Sequence, residues 1–174
     1  GAGQSVYFQQ PDASSQVLNR VLGRDPSHIL GSLGSNGGVW LVNPYGVVFG
    51  QNARVDVASL VASTLSISDA DWRSRRYSLT SAGDGAVLNQ GEIRTTQGGR
   101  VLLLGGSGGV RNEGLVEAPG GQVVLAAGAS VDLADSSSPQ MAVRVTAPSG
   151  QAMNLGRLIA AGGQVDLQAA MVNQ

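Results

Sequence analysis

One short pattern recurs through the second half of the chain: an apolar residue, Asn two positions later, Gly two positions after that, then another apolar residue. It reads Val87-Leu88-Asn89-Gln90-Gly91-Glu92-Ile93, then Val110-Arg111-Asn112-Glu113-Gly114-Leu115-Val116, then Ala152-Met153-Asn154-Leu155-Gly156-Arg157-Leu158. Each copy is followed by a Gly-Gly pair and a second apolar stretch, at Gly98-Gly99, Gly120-Gly121 and Gly162-Gly163. Asn89 and Asn112 are 23 positions apart, and Gly99 and Gly121 are 22 apart. Asn112 to Asn154 and Gly121 to Gly163 are both 42, which reads as two periods of 21. A strand-like unit of about 20–25 residues has the length of a solenoid coil, whereas a propeller blade needs about 40–50. The L-x-x-L-x-L signature of leucine-rich repeats is missing. The expectation is an all-β chain folded as a single-stranded right-handed parallel β-helix, with extra-helical strands or loops where the repeat breaks.

The residues of the pattern suit that fold. Alternate positions of a strand share one face, so Val87, Asn89 and Gly91 point the same way and stack on their equivalents in the next coil. A recurring Asn can stack as a ladder, its amide bonding the neighbouring Asn or a turn backbone. The Gly-Gly pairs supply positive φ at corners. With 26 Gly, 42% hydrophobic residues and only 13% charged, against about 25% in an average domain, the chain suits a turn-rich β protein and not a disordered one.

Charge and cysteine usage narrow the functional classes. The net charge is −1, and all eleven basic residues are Arg. A nucleic-acid binder carries clustered positive charge, so no nucleic-acid partner is expected. There is no Cys, which permits a chain to cross a membrane unfolded without a locking disulfide. No apolar run approaches the roughly 20 residues of a spanning helix, so stable membrane insertion is not expected. No signal peptide is legible at Gly1-Ala2-Gly3. Met171-Val172-Asn173-Gln174 resembles the opening of another unit, so the natural protein is expected to continue past Gln174.

The first 68 residues are less regular but still strand-like, with Gly38-Val39-Trp40-Leu41-Val42, Val47-Val48-Phe49 and the alternating Arg54-Val55-Asp56-Val57. Between the first two lies Asn43-Pro44-Tyr45-Gly46, a tetrapeptide suited to a type I β-turn: Asn at i, Pro fixing φ at i+1, Gly at i+3. The stretch from Val39 to Gly50 resembles the N-P-N-G box of the two-partner-secretion domain of the filamentous-haemagglutinin family. Ser14-Ser15-Gln16-Val17-Leu18-Asn19-Arg20-Val21, Asp25-Pro26-Ser27-His28-Ile29-Leu30-Gly31 and Leu60-Val61-Ala62-Ser63-Thr64-Leu65 are similar to three further motifs of that family, in the same order. Tyr45 stands where the box usually has a second Asn. The strands that the family places before Gly1 are absent, so the chain is expected to begin inside the domain. Residues 1–68 then form a motif-bearing part, 69–86 an excursion loop and 87–174 regular coils of one domain, truncated at both ends.

The resemblance implies a secretion-targeting role. The N-terminal domain of a large exported adhesin is recognised in the Gram-negative periplasm by the POTRA domains of a TpsB-type outer-membrane transporter. The passenger then folds as a β-helix outside, where a host-cell or glycan ligand would meet it; the domain is expected to be monomeric. Asn43, Pro44, Tyr45 and Gly46 are the expected recognition or nucleation motif, and Asn19 a supporting position with a structural role. Asp69 to Tyr77 breaks the repeat, and Trp72, Arg73, Arg75, Arg76 and Tyr77 there could form a loop for a partner or an anionic sugar; a plain solvated excursion is the favoured alternative.

Two rival functions follow from the same fold class. One is a carbohydrate- or cell-binding module. The other is a β-helical polysaccharide-degrading enzyme, which needs clustered carboxylates. Asp56, Asp132 and Asp166 are the candidate acids, but Asp132 and Asp166 are 34 residues apart and should not stack. Glu92 and Glu113 differ by 21 and flank the Asn positions on their solvent side. His28, the lone histidine, sits in a turn without Cys or carboxylate companions. No catalytic role, metal or cofactor is expected.

Overall fold

The computed structural model describes residues 2–135 and 141–173. Three short strands make each coil. The first coil is β1 (Ser5–Phe8), β2 (Gln16–Arg20) and β3 (Ser27–Ile29); the second is β4 (Ser32–Ser35), β5 (Gly38–Val42) and β6 (Val47–Phe49). The third begins with β7 (Arg54–Val57) and β8 (Ser59–Ser63). The chain then leaves the solenoid through β9 (Leu65–Ser66), helix α1 (Asp69–Arg73) and β10 (Tyr77–Ser81), and returns as β11 (Val87–Asn89). The fourth coil is β12 (Glu92–Thr95), β13 (Arg100–Gly105) and β14 (Val110–Asn112). The fifth holds β15 (Leu115–Glu117), the 14-residue β16 (Gln122–Asp135), the returning β17 (Met141–Pro148) and β18 (Gln151–Asn154). The sixth is β19 (Arg157–Ile159), β20 (Gln164–Gln168) and β21 (Met171–Asn173). Equivalent strands pair in parallel from coil to coil, giving three sheets along the solenoid.

The interval of 42 residues is therefore not two coils. Asn112 pairs directly with Asn154, and Gln122 with Gln164. The added length is a hairpin: β16 runs past its corner and turns back antiparallel as β17, with Val131 opposite Val145. Both departures from the solenoid occur at the same corner. They join as one extra-helical antiparallel sheet in the order β17-β16-β10-β9.

This sheet explains why the strands of the second face read as unbroken apolar runs. Val101, Leu103, Val123 and Leu125 point into the solenoid with Val39, Leu60, Val87, Ile93 and Val116. Leu102, Leu104, Val124 and Ala126 point outward, against Leu65, Leu79, Val131, Leu133 and Met141 of the extra-helical layer. A strand buried on both faces needs apolar side chains at every position. Gln122 closes the layer: its buried amide donates to the Met141 carbonyl and accepts from the Met141 N–H, both at 2.9 Å.

The Gly-Gly pairs divide their work. The first member has positive φ, at 77° in Gly98, 61° in Gly120 and 76° in Gly162. The second is required by close stacking: a Cβ on Gly121 would lie 1.7 Å from the Gly99 carbonyl oxygen, and one on Gly163 2.0 Å from that of Gly121.

Candidate functional site

Asn43-Pro44-Tyr45-Gly46 turns the chain from β5 into β6. The Gly46 N–H donates to the Asn43 carbonyl at 3.1 Å, closing the expected β-turn, and Gly46 has φ 135°. The side chain of Asn43 does more than start the turn. It is 1% exposed. Its Oδ1 accepts the Tyr45 N–H at 3.0 Å, while Nδ2 donates to the Asp25 carbonyl and to Ser27 Oγ, both at 2.9 Å. Both amide hydrogens are thereby used, and the turn is fixed to the Asp25–Ser27 corner of the preceding coil. On the other side, the Pro44 carbonyl accepts the Gly85 N–H at 3.1 Å, and the Ala86 carbonyl accepts that of Val47. A Cβ on Gly85 would lie 2.4 Å from the backbone of Tyr45 and Gly46. The box is thus the middle layer of a three-coil stack. Tyr45 is its exposed member, at 41%.

The Asn ladder lies in the next three coils. Asn89 Nδ2 donates to Asn112 Oδ1 at 2.8 Å, and Asn112 Nδ2 to Asn154 Oδ1 at 2.9 Å. Asn89 and Asn112 are fully buried. In the two coils before them the same column holds Ile29 and Phe49, so the ladder ends on an apolar floor. Asn19 lies elsewhere, opposite Leu41 in the first coil, and its buried Nδ2 has no hydrogen-bond partner.

The residue beside it, Arg20, has partners that no local sequence pattern indicates. It points outward, donating from Nη1 to Asp69 at 2.6 Å and from Nη2 to the Ile67 carbonyl at 2.6 Å. That contact holds the Asp69 carboxyl below its usual pKa, with a smaller effect from Arg73. Arg20 therefore anchors the start of α1, whose N-cap Ser68 accepts the Asp71 N–H at 3.1 Å.

The segment after α1 is packed, not a free loop. Trp72 and Tyr77 lie against Trp40 of β5, with ring centroids 5.1 and 5.2 Å away. Trp40 Nε1 donates to Gln16 Oε1 at 2.7 Å. Helix α1 ends in a Schellman arrangement: the Arg76 N–H reaches the Asp71 carbonyl at 2.8 Å, and the Arg75 N–H that of Trp72 at 3.2 Å. Arg75 occupies the left-handed position with φ 56°, where Gly is usual and a residue with a Cβ costs roughly 1 kcal/mol. Arg73 and Arg75, with Trp72 and Tyr77, line a groove of about 600 Å³ whose far wall includes Arg100 of β13. Arg76 turns away from it, its Nε 3.9 Å from Asp71.

The candidate acids are dispersed. Asp132 accepts from Ser78 on the extra-helical sheet, and Asp166 from Gln168 on the sixth coil. Glu92 pairs with Arg54 and Arg94, and Glu113 with Arg111. Among the described residues no cluster of three His, Asp or Glu side chains could hold a metal ion. No helix of the described residues is long and apolar enough to cross a membrane.

The model of the TPS secretion domain matches residues 1–174. The chain belongs to the TPS secretion domain family. Its fold is that of the HMW1 secretion domain from Haemophilus influenzae, with a TM-score of 0.90 and 35% identity, covering 98% of this chain and 46% of that one. Two heme/hemopexin-binding proteins of Haemophilus influenzae are also related. One is 34% identical over 138 residues, 74% of this chain and 15% of the relative; the other is 38% identical over 92 residues, 52% of this chain and 10% of the relative. The chain thus spans a small part of these relatives. TPS domains belong to proteins that pass the outer membrane to the cell surface or the medium.

Proposed function

We propose that this TPS domain is the N-terminal address of a large exported adhesin. The POTRA domains of a TpsB-type outer-membrane transporter take hold of it in the periplasm, before it folds. Formation of the coils outside then withdraws the unfolded chain from the pore and biases transport outward by mass action. The match of this fold to a 35%-identical secretion domain along 98% of the chain carries the reading. In a solenoid each coil contacts mainly its neighbours, so folding can start at one point and propagate. The Asn43-Pro44-Tyr45-Gly46 turn suits such a start because its bonds reach the coils on both sides. The domain acts as a monomer, and the host-cell target of the adhesin is met by its passenger. The reading includes no catalytic step, in keeping with the separate positions of Asp56, Asp132 and Asp166.

The test is secretion with and without the co-expressed transporter. Release of the domain is expected to depend on the transporter, and Asn43→Ala is expected to lower it several-fold. Equal release without any transporter would overturn the proposal. Measuring the refolding rate of purified Asn43→Ala separates nucleation from recognition: slower refolding supports the former, unchanged refolding with lost secretion the latter.

A further inference from the structure

The groove beside α1 combines features that the secretion role does not use. Gln16, Gly38, Ser59 and Arg100 occupy one column at the start of β2, β5, β8 and β13, so four successive coils contribute to one surface. Gly38 lets the side chains of Gln16 and Ser59 close over it, since a Cβ there would lie 2.9 Å from Ser59 Oγ and 3.2 Å from Gln16 Cγ. Opposite stands the α1–β10 segment with Arg73, Arg75, Trp72 and Tyr77. The Arg73 and Arg75 guanidinium groups thus line the groove from this segment, and Arg100 lines its far wall with an interaction of its own. No carboxylate is among the described residues that line it. The acids of the segment are engaged elsewhere, Asp69 by Arg20 and Asp71 near Arg76.

We propose that this groove binds an anionic oligosaccharide, one that carries carboxylate or sulfate groups along a pyranose chain. A guanidinium fork matches a planar carboxylate or a sulfate edge with two parallel hydrogen bonds. The Ser59 hydroxyl can exchange hydrogen bonds with sugar hydroxyls, Ser14 Oγ, whose proton goes to Asp12, can accept one, and Trp72 and Tyr77 offer apolar edges to the C–H face of a ring. Coils spaced at ~4.8 Å repeat the column on the scale of one sugar unit. A nucleic acid fits less well: the chain's net charge of −1 supplies no extended positive field to bind phosphate along its length. Arg75 adds a separate indication. It holds a left-handed backbone position where Gly would be relaxed, and its side chain reaches the groove. The proposal stands apart from the transporter reading and survives its failure.

The test is calorimetric titration of the folded domain at 150 mM salt, on the order of physiological strength. The probes are a hyaluronan hexasaccharide, a sulfated maltohexaose and uncharged maltohexaose, with oligo-dT as the nucleic-acid control. At least one of the two anionic sugars is expected to bind, maltohexaose at least tenfold more weakly. Hyaluronan alone would identify carboxylate as the recognised group, sulfated maltohexaose alone would identify sulfate, and binding of both means that either group serves; each supports the proposal. Arg75→Gly is expected to weaken binding about tenfold or more, as loss of a charge-assisted contact does, without lowering the melting temperature. Arg73→Gln is expected to weaken it similarly, and Arg76→Gln, outside the groove, to leave it unchanged. Absence of binding by both anionic sugars, wild-type affinity in Arg75→Gly, equal weakening by Arg76→Gln, or tighter binding of oligo-dT would each overturn it.

Discussion

Replacing Asn112 by Ala tests how the coils are held together. Asn112 is fully buried and is the middle rung of the ladder, accepting from Asn89 at 2.8 Å and donating to Asn154 at 2.9 Å. Its Nδ2 also lies 3.3 Å from the Gly114 and Arg157 carbonyl oxygens. Each of the two short bonds contributes about 1 kcal/mol net. Loss of the acceptor also leaves Asn89 Nδ2 with only longer contacts to Gly91 and Leu115 at a residue closed to solvent, adding roughly another 1 kcal/mol. The expected loss is therefore about 3 kcal/mol. Asn154→Ala removes the bond from Asn112 and a 3.3 Å one from the Gly156 N–H at a half-buried position, where water replaces the missing group, and should cost about 1 kcal/mol. Urea unfolding followed by circular dichroism measures both, with the slope m checked for constancy so that a shifted midpoint reports stability. Equal losses for the two variants, or a loss below about 1 kcal/mol for Asn112→Ala, would refute the idea that buried amide stacking bonds the coils.

The paired glycines should respond unequally to alanine. Gly121→Ala places a Cβ against the Gly99 carbonyl of the coil below and is expected to abolish folding or cost more than about 3 kcal/mol, whereas Gly98→Ala meets open space and should cost only about 1 kcal/mol for its positive φ, read from thermal melts of the soluble variants. Acid should weaken the domain. Asp69, bonded to Arg20, and Asp12, bonded to Ser14 and Ser15, both have carboxyl pKa values below the ordinary 3.8. Their contribution is complete above the unfolded value and lost as pH falls through the lower folded value. Melting temperature is therefore expected to drop below about pH 4 and to drop less in Arg20→Gln, and an identical acid profile in that variant would contradict the assignment.

The sequence carried the solenoid because its signal is local and repeated. Asn89, Asn112 and Asn154 recur with their glycines, and the structure stacks them in one column. The hairpin of β16 and β17 was hidden by a coincidence of length: an insertion close to one coil long makes a spacing of 42 read as two periods. The apolar run Val101-Leu102-Leu103-Leu104 held the missing signal, since a strand with one wet face alternates and this one does not. Trp72 and Tyr77 carry no local sign of packing, because their partner, Trp40, is more than thirty positions away and no local pattern links them. Arg20 escaped for the same reason. Its role depends on Asp69 lying beside the first coil, which follows from where the excursion folds back.

The geometry of Asn43 also bears on how such a box could serve recognition. In the folded domain both hydrogens of its amide are given to Asp25 and Ser27, its oxygen accepts from Tyr45, and the residue is 1% exposed. A partner that read this amide in the folded state would have to break bonds worth about 1 kcal/mol each and open a packed corner between coils. What the folded turn offers outward is Tyr45, the one position that departs from the family's box. A loss of secretion in Asn43→Ala, the outcome expected above, would therefore have one of two physical origins. Asn43 acts in the chain before the coils close, when the amide is free, or through the stability and timing of the turn itself. Both place its work at the passage from unfolded to folded chain, the step that the proposed function couples to transport.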